Sequence, residues 1–90
     1  METINIHTFY VLECSDGSYY AGYTNDLEKR VNVHNSGKGA KYTRARLPVT
    51  CIYEEKHETK QSAMKAEYAF KQLAKPKKIE YIAKLRGEQS

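Results

Sequence analysis

Ninety residues, 40% of them hydrophobic and 29% charged, suit one domain with a single modest core and are too apolar for a disordered chain. The two cysteines, Cys14 and Cys51, lack a CxxC spacing, which excludes a disulfide framework and a cysteine-built zinc site; both sit in apolar runs and read as buried free thiols. The net charge of +4 is uneven: residues 1–34 carry −3, residues 35–48 carry +4, residues 49–70 carry −1 and residues 71–90 carry +4.

In chain order, HTFYVLEC (7–14) reads as a strand that stops at Ser-Asp-Gly-Ser, and Ser18 to Thr24 resumes as a second strand, so the two form a hairpin. Two registers are open. A two-residue Asp16-Gly17 turn sets Tyr10 opposite Tyr23. A three-residue Ser15-Asp16-Gly17 loop with a left-handed Gly17 sets Leu12 opposite Tyr20, and puts Tyr10, Tyr20 and Gly22 on one face. In that register Gly22 leaves a gap through which a phosphate can approach the backbone. A helix follows, capped by Thr24 or Asn25, with Asp26 and Glu28 in its first turn and an end at Ser36-Gly37.

The basic loop NSGKGAKYTRARLP (35–48) carries Lys38, Lys41, Arg44 and Arg46 and closes at Pro48. VTCIY (49–53) is a third strand that continues into a charged end. Thr59 caps a longer helix to about Ala74, with Ala63, Ala66, Ala69, Phe70 and Leu73 as its buried stripe. Pro76 opens a last helix with Ile79, Ile82 and Leu85 at helical spacing. The order ββαβαα describes an α+β domain, a small sheet flanked by helices, with a core over about 8–82 and a disordered tail at 87–90. The apolar run from Phe9 to Leu12 is far too short for a signal peptide or a membrane span, which implies a cytoplasmic chain with no membrane partner.

Some polar residues sit where a cleft would need them. On the first helix, Arg30 and His34 share a side with the apolar pair Leu27 and Val31. An arginine there either snorkels over apolar surface or lines a cleft, and the histidine is either a satisfied helix-end residue or a site residue. Glu67 borders the buried stripe of the long helix; it either pairs with Lys71 at i+4 or stands as the lone carboxylate of a site. The basic stretches 35–48 and 75–86, if they converge, make a phosphate-binding footprint.

Thr8-Phe9-Tyr10 and Tyr20-Ala21-Gly22 resemble the two halves of the GIY-YIG motif, and Arg30, His34 and Glu67 follow in the order seen in that superfamily of endonucleases. The likeness spans Thr8 to Ile82. GAKYTRARLPV (39–49) looks most like the short single-domain bacterial branch, and also like the nuclease domain of structure-selective junction endonucleases. The first half departs from the pattern in lacking its glycine, and the second carries Ala21 in the middle.

The resemblance implies a three-stranded, mainly antiparallel sheet with the site on one face. Carried across, Tyr10 and Tyr20 are the site hydroxyls, with Tyr20 or His34 helping to activate the attacking water. Arg30 would steady the scissile phosphate, and Glu67 would hold a single divalent metal, Mg²⁺ or Mn²⁺. Gly22, Tyr23, Lys38, Lys41, Tyr42, Arg44 and Arg46 are the expected nucleic-acid contacts. The expected function is a metal-dependent endonuclease cutting phosphodiesters of DNA ahead of RNA, as a monomer, with an accessory protein supplying target choice. The alternative is a non-catalytic nucleic-acid-binding module that keeps the fold; the basic segments speak against a protein-interaction adaptor.

Overall fold

The computed structural model describes residues 6–85; the tail 87–90, expected to be disordered, lies outside them. The elements are β1 (His7–Glu13), β2 (Tyr19–Thr24), α1 (Leu27–Asn35), α2 (Lys41–Arg44), β3 (Thr50–His57), α3 (Lys60–Lys71) and α4 (Lys75–Leu85). The strands form one sheet in the order β2-β1-β3, and both pairings are antiparallel. The expected α+β class and three-stranded sheet are present, and the sheet is antiparallel throughout. Among the described residues, no helix is long and apolar enough to cross a membrane.

The hairpin adopts the three-residue loop. Leu12 faces Tyr20, Tyr10 faces Gly22, and Gly17 takes a φ of +85°, a conformation that L side chains rarely adopt. Asp16 fixes the turn by accepting from the Ser18 amide at 3.0 Å and the Ser18 hydroxyl at 2.6 Å. Those two bonds hold its carboxyl below the usual range. Because side chains alternate along a strand, this register sorts the hairpin tyrosines between two cores.

On one face Phe9, Val11, Ala21 and Tyr53 pack with Phe70 of α3 and Ile82 of α4. Phe9 meets Phe70, and Phe70 meets Tyr81, each with ring centroids 5.4 Å apart. Tyr53 and Tyr81 both donate to Glu55 Oε1, at 3.1 and 2.9 Å. Burial, then Glu55, pushes the Tyr53 phenol up to about 12. On the other face Tyr10, Leu12, Cys14 and Val49 form a second cluster, with Tyr20, Leu27 and Val31 packed against it.

Several local expectations need correction. The cap of α1 is Asp26, whose carboxylate accepts from the Lys29 amide at 3.2 Å. Thr24 is unavailable for capping because it ends β2 and its hydroxyl accepts the Asp26 amide at 3.0 Å. The basic loop is not wholly irregular, since Ala40 starts the single helical turn α2. The third strand does continue into its charged end, as expected, and runs to His57, carried by its pairing with β1 as far as His7. Thr59 caps α3 as expected, but α3 ends at Lys71, where the Leu73 amide bonds to Phe70 in a tightened last turn. Ala69 is exposed and drops out of the buried stripe. Pro76 lies in the first turn of α4, where its missing N–H costs nothing. Cys14 is buried, whereas Cys51 is only half-buried.

Candidate active site

The second face of the sheet carries the polar chemistry. Tyr10 is 2% exposed, and its hydroxyl lies 3.1 Å from Nε2 of His34, itself 2% exposed. Two features bring them together: the hairpin register turns Tyr10 towards α1, and the packing of Leu27 and Val31 rolls His34 inward. Nδ1 of His34 lies 2.9 Å from the Thr43 hydroxyl of α2. Both imidazole nitrogens are therefore engaged, at a buried position. Burial, then the charge of Arg30, lowers the His34 pKa below its ordinary value, so the ring is neutral at neutral pH. Burial lifts the Tyr10 phenol far above its ordinary value; Tyr20 and Glu67 add to the rise and Arg30 opposes it. Four of the residues named from the sequence thus act on one buried phenol.

Tyr20 is half-buried and meets His34 edge-on, with ring centroids 5.3 Å apart. Its outer side stacks on Tyr42 at 6.1 Å. Tyr20, Tyr42, Phe70, Lys71 and Lys78 line a cavity of about 290 Å³ that opens beside the β2 edge. Glu67, with its side chain 14% exposed, pairs through Oε2 with Lys71 Nζ at 2.8 Å. Of the two sequence alternatives for Glu67, the i+4 pair with Lys71 forms, and the carboxylate's charge also reaches the Tyr10 phenol.

The remaining residues divide. Arg30 is exposed and has no ion pair among the described residues, which leaves its guanidinium available to a phosphate. Gly22 lies directly opposite Tyr10, and a Cβ there would meet the Tyr10 hydroxyl oxygen at 2.5 Å. The space above Gly22 is filled by that phenol and is not an open gap for a ligand. Tyr23 faces the other way: it pairs with Phe9, bonds His7 Nδ1 at 2.7 Å and stands apart from the Tyr10–His34 group. Lys38, Lys41 and Arg44 are exposed on the basic segment. Arg46 is committed to the fold: it pairs with Asp16 at 3.2 Å, donates to the Tyr42 carbonyl at 2.8 Å, and lies 3.9 Å over the Tyr42 ring. Lys75 is likewise engaged, donating to the Gly17 carbonyl at 2.8 Å. Lys71 and Lys78 meet Tyr42 across the cavity, so the two basic blocks do converge there.

Two structural anchors were not picked out from the sequence. Asn35 exchanges a pair of hydrogen bonds with the backbone of Val49, at 3.0 and 2.8 Å, and so closes the basic segment at its base. Thr43, 0% exposed, holds His34. Neither gives a periodic or motif signal, because their partners lie in other elements.

Mg²⁺ takes a single carboxylate readily when waters and substrate oxygens complete its shell. Glu67, already turned towards a cation and within electrostatic range of Tyr10, fits that role. Among the described residues, no group of three His, Cys, Asp or Glu could hold a metal as an all-protein cage.

An antiparallel sheet with two tyrosines on one face, followed by an arginine and a histidine on the next helix and a glutamate on a later one, defines a GIY-YIG-type domain. The GIY-YIG catalytic domain matches residues 6–80, and the chain belongs to that family. It is 69% identical over 80 residues to a UPF0213 protein of Bacillus cereus, spanning 89% of this chain and 83% of the relative. It is 59% identical over 87 residues to the UPF0213 protein YazA of Bacillus subtilis, spanning 97% and 87%. Among solved structures it is similar to the solution NMR structure of a UPF0213 protein from Bacillus halodurans, with 45% identity, a TM-score of 0.59 and coverage of 93% and 88%. It is also similar to that of a protein from E. faecalis, with 50% identity, a TM-score of 0.63 and coverage of 96% and 92%.

Proposed function

We propose that the protein is a metal-dependent endonuclease that hydrolyses nucleic-acid phosphodiesters, with DNA as its first substrate and RNA second. The observation that carries this reading is the buried contact between Tyr10 and His34, with Tyr20 against the same imidazole, in a chain of GIY-YIG descent. The attacking water gives its proton to the Tyr10 oxygen as Tyr10 passes its own to His34 Nε2. The high pKa of Tyr10 disfavours a free phenolate, and a concerted relay avoids one. Tyr20, whose ring edge rests on His34, orients the water at the rim. Arg30 binds the scissile phosphate and is most useful as charge builds on its oxygens in the transition state. A divalent ion on Glu67 would neutralise charge on the phosphate and its leaving oxygen. Lys38, Lys41, Tyr42 and Arg44 contact the flanking backbone, Gly22 gives the Tyr10 phenol its room, and Tyr23 stays on the other face with His7. Arg46 supports Tyr42. The protein works as a monomer, and a partner protein supplies target choice.

One observation favours a second reading. Lys71 already neutralises Glu67 at 2.8 Å, as it would in a binding module that needs no metal. A cleavage assay on branched, single-stranded and duplex DNA with Mg²⁺ or Mn²⁺ separates the two. The nuclease reading expects wild-type cutting and a loss of at least about 100-fold in Glu67→Gln, with folding and affinity retained. Equal rates for the two proteins exclude the metal role. No cutting by either, with binding intact, leaves the binding module.

A further inference from the structure

The basic segment presents its charges outward and one hydroxyl inward. Lys41 and Arg44 of α2 are exposed, whereas Thr43 between them is fully buried against His34. The Thr43 hydroxyl lies 2.9 Å from the Ala40 carbonyl and 2.9 Å from His34 Nδ1. The Ala40 carbonyl, which also takes the Thr43 and Arg44 amides, only accepts; with the hydroxyl's proton directed to Ala40, Thr43 offers His34 a lone pair. Only an Nδ1–H can use that lone pair. A neutral imidazole carries one ring proton, so Nε2 is left bare to accept from Tyr10 at 3.1 Å. Gly39 tightens the same seat: a Cβ there would press on His34 Nδ1 and lie 2.9 Å from its Cα and Cγ.

The structure assigns Thr43 as the positioning residue that fixes the tautomer of His34, so that its Nε2 takes the proton of Tyr10. Thr43 is 0% exposed and acts through the imidazole that it holds. Its effect on cleavage rests on the nuclease reading, whereas its effect on the tautomer does not. Because Lys41 and Arg44 share its single helical turn, a backbone bound by these residues also steadies the proton acceptor.

The test pairs two substitutions with a spectroscopic readout. Long-range ¹H–¹⁵N correlation spectra of labelled full-length protein distinguish a protonated from a bare ring nitrogen at His34. The wild type is expected to show Nδ1–H and a bare Nε2. Thr43→Ser keeps the hydroxyl and should keep that signature. Thr43→Val keeps the shape without the acceptor and should shift His34 towards the Nε2–H form. Cleavage should fall by at least about tenfold in Thr43→Val and be restored in Thr43→Ser. An Nε2–H signature in the wild type, or an unchanged tautomer in Thr43→Val, overturns the assignment. If no substrate is cut by the wild type, the nuclease reading fails, and the two spectra alone decide whether Thr43 sets the tautomer.

Discussion

On the α3/α4 side of the sheet, Tyr53 and Tyr81 end on the carboxylate of Glu55, inside a cluster of edge-packed rings. On the α1/α2 side, Tyr10 ends on the imidazole of His34, which in turn rests on Thr43. All three phenols are raised by burial first. The Glu55 carboxylate is shared between two phenols and an ion pair with His57, whereas the neutral imidazole of His34 has Nε2 facing a single phenol. One strand, β1, feeds both faces through alternate residues, Phe9 and Val11 to one and Tyr10 and Leu12 to the other. The two faces thus differ in what stands opposite the hydroxyl, a carboxylate on one and an imidazole on the other.

The sharpest way to break this comparison is to damage each side in turn. Phe70→Ala empties the centre of the aromatic cluster and should cost about 3–5 kcal/mol, read as a fall in the denaturant midpoint. Tyr10→Phe removes one hydrogen bond and leaves His34 Nε2 unpaired, so it should cost about 1–3 kcal/mol and leave the fold intact. A greater loss of stability in Tyr10→Phe than in Phe70→Ala would reverse the roles assigned to the two faces.

The neutral imidazole has a pH signature. The folded-state pKa of His34 lies below the unfolded value of 6.5, so below that pH the unfolded chain binds a proton that the folded chain refuses. Stability should therefore fall as pH drops through 6.5, by at most about 1.4 kcal/mol per unit from this residue. Above 6.5 the effect vanishes. His34→Gln should flatten that part of the profile in denaturant titrations between pH 7.5 and 5.5; an unaltered slope would mean that His34 takes up its proton as readily in the fold as in the unfolded chain.

The smallest effect concerns the exposed rim. Lys41→Ala with Arg44→Ala should lower nucleic-acid affinity alike for all sequences. The logarithmic salt slope should flatten by about 0.7–0.9 for each phosphate that is no longer neutralised. Arg46→Ala should act chiefly through the Asp16 and Tyr42 interactions that it breaks. An unchanged salt slope in the double variant would make these charges a solvated surface.

Much of this was legible in the sequence, and the limits have physical causes. The Ser15-Asp16-Gly17 loop left two registers, because Asp-Gly serves either turn; pairing with β3 and the packing of Tyr10 under α1 select one. Arg30 and His34 read as neighbours on a helix face, yet one is exposed and the other buried, since periodicity gives a direction and not a depth. Gly22 read as open space because a glycine shows what is missing and not what fills it. Thr43 was invisible: a lone threonine among basic residues has meaning only once α2 folds back onto α1.

The most direct measurement compares the two phenols of one sheet. Tyr10→Phe and Tyr53→Phe each delete a single hydroxyl oxygen, one facing His34 and the other facing Glu55. With Mg²⁺ or Mn²⁺ and the best-cut DNA substrate, Tyr10→Phe should lose at least about 100-fold in cleavage rate, while Tyr53→Phe should cut like the wild type. Equal losses in both variants, or wild-type cutting by Tyr10→Phe, would contradict the placement of the chemistry on the α1/α2 face.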